Sequence, residues 1–427
     1  MDKNKTVLKH AEWTAYATVY EVNIRQYTAE GTFAAFEQHL ERLRDMGVDI
    51  LWLMPVNPIG EEGRKGSLGS YYAVKDYMAV NPEFGTMKEF KSLIDRIHDL
   101  GMKVIIDWVA NHTSHDNRWK EEHPDWYKKD EHGGFVSPYD WTDVLALDYG
   151  NKDLWHGMSE AMNFWLKECD IDGFRCDVAM LVPTEFWDFA RRELEKTKPV
   201  FMLAESEEPA HHQRAFDASY SWEMFKIWQA VAKGEKNAGD IRKQTEKEFS
   251  LFPEDAYRLL FTTNHDENSW NGTEYEMFGD ATRTFAVLSF MMKGIPLIYS
   301  GQEAGLNHRL KFFDKDEIDW SHLYAAEFYT KLTGIKKRNP ALYNGPFGSP
   351  LFWIESSEKQ HILSFYRRRE ANTVVVLINL SNRHLDVEFD MEELAAEYKN
   401  AFTGERLGLK SKEKFHFDPW QYYVFER

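Results

Sequence analysis

A chain of 427 residues, 43% hydrophobic and 29% charged, is long enough for a large core and more than one domain, and too apolar to be disordered. Its net charge of −18, from 70 acidic and 52 basic residues, argues against nucleic acid and anionic membranes as partners, because phosphate recognition needs clustered Lys and Arg; a neutral sugar is compatible with it. Cys169 and Cys176 give no disulfide framework, the first residues lead into no apolar core of signal-peptide length, and the most apolar stretch, 286–298, contains Lys293 and is too short for a bilayer, so a cytoplasmic location is expected.

In chain order, 16–22 reads as a strand, and helical spacing over 33–46 follows, stopped by Gly47. A continuous apolar run, 50–54, ends at Pro55. Residues 87–100 place Phe90, Leu93, Ile94, Ile97 and Leu100 on one helical face, and 103–107 is a third strand. Further strands are predicted at 173–177, 200–204, 215–218, 257–262 and 295–299, and helices at 153–167, 184–194, 222–232, 282–293 and 325–338. Apolar strands alternating with helices imply a parallel sheet covered on both faces; eight such units fit an α/β fold, the (β/α)8 TIM barrel.

One connection stands apart. Residues 112–151, rich in Asp, His, Gly, Pro and Trp, separate the third strand from its helix, and a loop of that length in a compact domain is usually functional. After Asn339-Pro340 the pattern changes to short strands at 351–354, 361–366, 373–379, 385–389 and 422–425. The expected organisation is a barrel from 1–112 and 152–340, an inserted subdomain at 113–151 and a C-terminal all-β sandwich at 341–427.

Charged residues recur where the barrel strands end: Asp107, Asn111 and His112 after the third, Arg175 and Asp177 on the fourth, Glu205 after the fifth, and Asn264-His265-Asp266 after the seventh. A barrel carries its active site on this face. One such residue could be an ion pair or a helix cap; carboxylates converging there with an Arg are hard to explain as packing. Cleaving a glycosidic bond takes two carboxyl groups, and neighbouring strand ends can supply the separation of about 5–5.5 Å that a retaining enzyme needs. Asp177 lies two residues after Arg175, on the same side of the strand, so the guanidinium is expected to hold Asp177 ionised as nucleophile. Glu205 follows apolar residues and is expected to have a raised pKa, as acid and then base.

Segments 107–112, 173–179, 204–206 and 261–266 resemble, in order, the four signature regions of the α-amylase family, glycoside hydrolase family 13, and 47–55 and 294–303 are similar to its two flanking regions. The resemblance implies that Asp177 is the nucleophile, Glu205 the acid/base, and Asp266 the group that grips ring hydroxyls and stabilises the transition state. It implies that Arg175 positions Asp177, that His112 and His265 hydrogen-bond the sugar, that Asp107 supports the polar network, and that Tyr72 stacks on the sugar. Asn111 matches a family calcium ligand, but Ala146 stands where many calcium-binding members carry Asp; one oxygen does not make a site that takes 6–8, so no cofactor or metal is expected. The segment 177–180 also lacks the Lys-His pair that many starch-specific members place after the nucleophile.

The expected activity is retaining hydrolysis of α-1,4-glucosidic bonds in starch fragments or maltooligosaccharides. The alternatives are glucosyl transfer or isomerisation through the same glycosyl-enzyme, as in trehalose synthase or glucanotransferase relatives, and a non-catalytic relative. The sandwich is expected to cap the barrel; as a sugar-binding module it would use Trp353 and Trp420.

Overall fold

The computed structural model describes residues 8–427. Eight parallel strands close into a barrel: β1 (Val19–Val22), β2 (Ile50–Leu53), β3 (Lys103–Trp108), β6 (Gly173–Cys176), β7 (Phe201–Ala204), β8 (Ala218–Tyr220), β9 (Tyr257–Leu260) and β10 (Ile295–Tyr299). The order is β1-β10-β9-β8-β7-β6-β3-β2, and β1 closes the ring against β10 with Val19 opposite Leu297. The strands read as unbroken apolar runs because both faces are buried, one on the filled barrel axis and one under helices. Between β3 and its helix Lys152–Cys169 lies a small antiparallel pair, β4 (His112–Ser114) and β5 (Val144–Ala146).

The helices Thr184–Leu194 and Trp222–Ala232 form as the periodicity predicts. The helical run over 33–46 is split instead into Phe33–Glu37 and Leu40–Met46, with the His39 ring between them packed edge-on against Tyr27. The strand predicted at 215–218 is displaced to Ala218–Tyr220: the N–H groups of Ala215 and Phe216 both donate to His211 O, which makes them part of a turn. No α-helix stands between β7 and β8, where Pro209 opens a 3-10 turn, Pro209–Gln213, so the fifth strand–helix unit is incomplete. Helix Ala238–Leu251 is one the periodicity did not single out.

Gly173, the first residue of β6, is required by close approach: a Cβ there would lie 1.8 Å from Phe201 O on β7. That contact draws β6 and β7 together where the chemistry-bearing residues begin.

The C-terminal part is two antiparallel sheets. One contains six strands, Leu351–Trp353, Ile362–Arg369, Asn372–Asn379, Tyr422–Glu426, Ala396–Asn400 and Arg406–Leu409; the other contains Glu355–Ser356, Leu385–Asp390 and Lys412–Phe417. Arg367 fixes this part to the barrel. It is fully buried and donates to Met292 O (3.0 Å) at the end of a barrel helix, and to Leu342 O, Tyr343 O and Ser349 O in the connection. Of the two tryptophans singled out in the sequence, Trp353 is partly buried with the Arg242 guanidinium 5.0 Å above it, and Trp420 is partly buried with φ +57°. Among the described residues no helix is long and apolar enough to cross a membrane.

Candidate active site

Strand register places the central groups. Cys176 on β6 is paired with Ala204 on β7, so Asp177 and Glu205 stand one step beyond, at the same height on neighbouring strands spaced by about 4.8 Å. Glu205 N–H completes the ladder by donating to Cys176 O at 3.0 Å. Arg175, with no solvent exposure, lies beneath both. Its Nη1 contacts Asp177 Oδ1 (3.0 Å) and both oxygens of Asp107 (3.0 and 3.2 Å), and its Nη2 lies 3.1 Å from Glu205 Oε2. Trp52 lies under the guanidinium at 4.9 Å, and Trp52 Nε1 also donates to Asp107 Oδ2 (3.2 Å).

The next residue is strained. Val178 has φ +36°, a left-handed conformation that costs a β-branched residue on the order of 1–3 kcal/mol. In that conformation its N–H donates to Glu205 Oε2 at 2.7 Å.

A second chain of contacts runs from β1 to the loop after β9. His265 Nδ1 pairs with Glu21 on β1, and His265 Nε2 meets Tyr72 Oη (2.7 Å) and lies 3.4 Å from Asp266 Oδ2. Tyr72 Oη also donates to Asp107 Oδ2 (3.1 Å), joining the two networks. Burial opposes protonation of His265, but Asp266 and Glu21 carry its pKa up to about 9. At His112 burial outweighs the Asp143 charge and drives the pKa down to about 4, so it is a neutral ring at the pocket wall with Trp141 edge-on at 5.4 Å.

The electrostatics depart from one expectation. Arg175 does reach Asp177, yet burial first and the Glu205 charge second push the Asp177 carboxyl well above its ordinary range. The reason is division: one guanidinium serves three carboxylates, and Asp107, the most buried of them, is itself raised to about 6 by desolvation.

A cavity of about 580 Å³ opens over these groups. Tyr72, His112, Asp177, Glu205 and Asp266 line it, while Arg175, Asp107 and His265 support it from below. All eight residues predicted from the sequence thus converge on one place. The structure adds Lys65, Asp143, Trp141, Trp270, Phe312 and Phe313 at its rim, and Glu21, Trp52 and Tyr220 in the supporting network. Glu21 carried a readable signal, an acid inside an apolar strand; the rim residues come from loops and carried none. The residues around Asn111 do not make a calcium cage: its amide faces His112 Nδ1 (3.2 Å), Ala146 offers no side-chain oxygen, and Asp143 is held by Lys65 Nζ (2.9 Å).

A closed parallel barrel with facing carboxyl groups and an aromatic sugar-sized pocket at its C-terminal mouth defines a glycoside hydrolase. The model of the family described as "Alpha amylase, catalytic domain" matches residues 22–143 and 123–359, and the chain belongs to that family. It is 32% identical to an alpha-amylase from Lactobacillus plantarum of known structure, with a TM-score of 0.87, covering 97% of this chain and 99% of that one. A maltogenic alpha-amylase from Thermotoga neapolitana is 28% identical at the same TM-score of 0.87, covering 96% and 98%. Alpha-amylase 2 of Dictyoglomus thermophilum is 24% identical over 416 residues, which are 90% of this chain and 69% of that protein.

Proposed function

We propose that the protein hydrolyses α-1,4-glucosidic bonds of maltooligosaccharides and starch fragments by double displacement, with retention. The observation that carries this reading is the shared height of Asp177 and Glu205 on adjacent strands, bridged by one buried guanidinium. That spacing leaves too little room for the water that an inverting enzyme places between sugar and base.

In the first step Glu205 is the acid and Asp177 the nucleophilic carboxylate, since the glycosidic oxygen needs a proton donor and the anomeric carbon needs an ionised oxygen. Asp177 attacks the anomeric carbon, the C–O bond to the leaving sugar breaks, and Glu205 gives its proton to the departing oxygen. Water then loses a proton to Glu205 and attacks the same carbon, breaking the ester to Asp177. Asp266 and His112 hydrogen-bond the ring hydroxyls, His265 holds Tyr72 from below, Tyr72 stacks on the ring, and Arg175 and Asp107 hold Asp177 in place. NMR of the first minutes of a maltoheptaose digest tests this: the α-anomer should appear first, before mutarotation. An initial excess of β-anomer would sink the assignment of the pair.

A further inference from the structure

The pocket is bounded unequally. Around the barrel, the loops after β6 and β7 are short, whereas those after β2, β3 and β10 are long and tied to one another. The tie is the segment 60–70, which follows β2. At one end it is fastened to the insertion after β3: Glu61 N–H donates to Asp116 Oδ2 (3.0 Å), and Lys65 Nζ pairs with Asp143 Oδ1 (2.9 Å). At the other end it is fastened to the segment after β10: Ser67 N–H and Oγ both donate to Asp314 Oδ1 (3.0 and 2.5 Å), and Leu68 N–H donates to Phe313 O (3.0 Å). Gly66 is pressed so close that a Cβ would lie 2.4 Å from that of Phe313. From below, the buried Arg25 donates to Leu68 O and Gly69 O (3.2 and 3.1 Å). Fastened on three sides, this segment is a fixed wall.

Its position fixes which side of the substrate meets it. The chain runs from the wall through Ser70 into Tyr72, and Tyr72 N–H donates to Ser70 Oγ (3.2 Å). Tyr72 joins Asp107 and His265, on the side of the sugar whose anomeric carbon faces Asp177. Glu205, which must meet the leaving oxygen, stands at the end of β7, one strand farther than Asp177 from β2 and β3 and toward the short loop that follows β7. A glucan extends toward its non-reducing end on the wall side and toward its reducing end over the short loops.

We infer that the wall makes the non-reducing side of the pocket a blind end, so that the enzyme removes short units from free non-reducing ends and does not cut long chains internally. This inference rests on the hydrolytic reading above, and the substrate class it names is α-glucan oligosaccharide with an unmodified non-reducing terminus. An internal cut would bring further sugar units against the Lys65–Asp143 pair, which lines the pocket.

The test uses the full chain on maltoheptaose and on maltoheptaose carrying a 4,6-O-benzylidene group at its non-reducing end. Maltoheptaose should from the start release units of one short length and leave the correspondingly shortened chain, and the blocked substrate should be cut more than about tenfold more slowly. Cleavage of the blocked substrate at more than about a tenth of the free rate would overturn the blind end. Failure to cut either substrate would instead overturn the hydrolytic reading. A second arm uses Asp314→Ala, a position outside the cavity lining that anchors Ser67. It should raise the ratio of blocked to free cleavage by about threefold or more, and an unchanged ratio would remove the wall as the cause.

Discussion

Arg175 at the barrel mouth and Arg367 at the junction with the sandwich are both shut off from solvent, yet the first lies among three carboxylates and the second among backbone carbonyls alone. Burial disfavours the charge of each. At the mouth the carboxylates more than offset this and hold the Arg175 pKa well above its ordinary value; at the junction nothing does, and Arg367 falls to about 9. Glu274 completes the comparison as a buried carboxyl whose Oε1 accepts from the neutral Gln302 Nε2 (2.7 Å) and from the Thr262 hydroxyl, and burial lifts it to about 7. Charge is set against charge where bonds are to be broken, and dipoles satisfy charge where layers are to be joined.

The largest effect expected from breaking this arrangement is at the mouth. Asp177→Asn should lower kcat by at least about 10⁴-fold, because an amide cannot form the glycosyl ester, and should leave Tm unchanged or raised, because one repelling carboxylate is gone. Near-native turnover by a homogeneous variant would remove Asp177 from the mechanism. Arg367→Met should do the reverse. It strands carbonyls of both layers and should cost about 3–5 kcal/mol of stability, while kcat per folded molecule stays near native. Chemical denaturation beside active-site titration separates the two quantities, and a loss of kcat at unchanged stability would show that the junction reaches the mouth.

The third expectation sharpens the intermediate case. Glu274 is protonated up to about pH 7 in the folded protein but only to its ordinary value of 4.5 when unfolded, so the folded state binds more protons between these values. Stability should be full below pH 4.5 and fall as pH rises through 7, and Glu274→Gln should flatten that part of the Tm profile. A wild-type profile that rises over this window, with no change in the variant, would show that Glu274 stays ionised.

The smallest effect is expected at Val178. Glycine relieves the left-handed strain and should stabilise by up to about 1 kcal/mol, yet it frees the N–H that holds Glu205 Oε2. A fewfold drop in kcat with a displaced alkaline limb of the pH profile is expected. An unchanged limb would make the strain incidental.

The barrel and its carboxylates were legible because burial writes itself into composition. Strands covered on both faces become apolar runs, and a charge that ends such a run needs a partner. Helix Ala238–Leu251 was hidden by its low apolar content, and the strands Ala396–Asn400, Arg406–Leu409 and Lys412–Phe417 by alternation with many exposed polar residues. Asp107, Arg175 and Asp177 could be placed together from spacing on adjacent strands. That Arg175 would be shared three ways could not, because its partners come from separate strands, and so the direction of the Asp177 shift was misjudged. The wall of residues 60–70 was equally unreadable, since its contact between Ser67 and Asp314 joins two loops 247 positions apart in the sequence.

The ring closes between strands at opposite ends of the barrel sequence, with Val19 of β1 against Leu297 of β10. During synthesis at about 5–20 residues per second, the edge of β1 therefore waits roughly 15–55 s for its partner to be made. For that interval Val19, Tyr20 and Val22 form part of an open apolar edge, the kind that pairs with any other strand within reach. The acid at Glu21, destined for the network beneath the pocket, interrupts that edge while it is exposed. A residue that later steadies His265 thus puts a charge into that edge while it is still open.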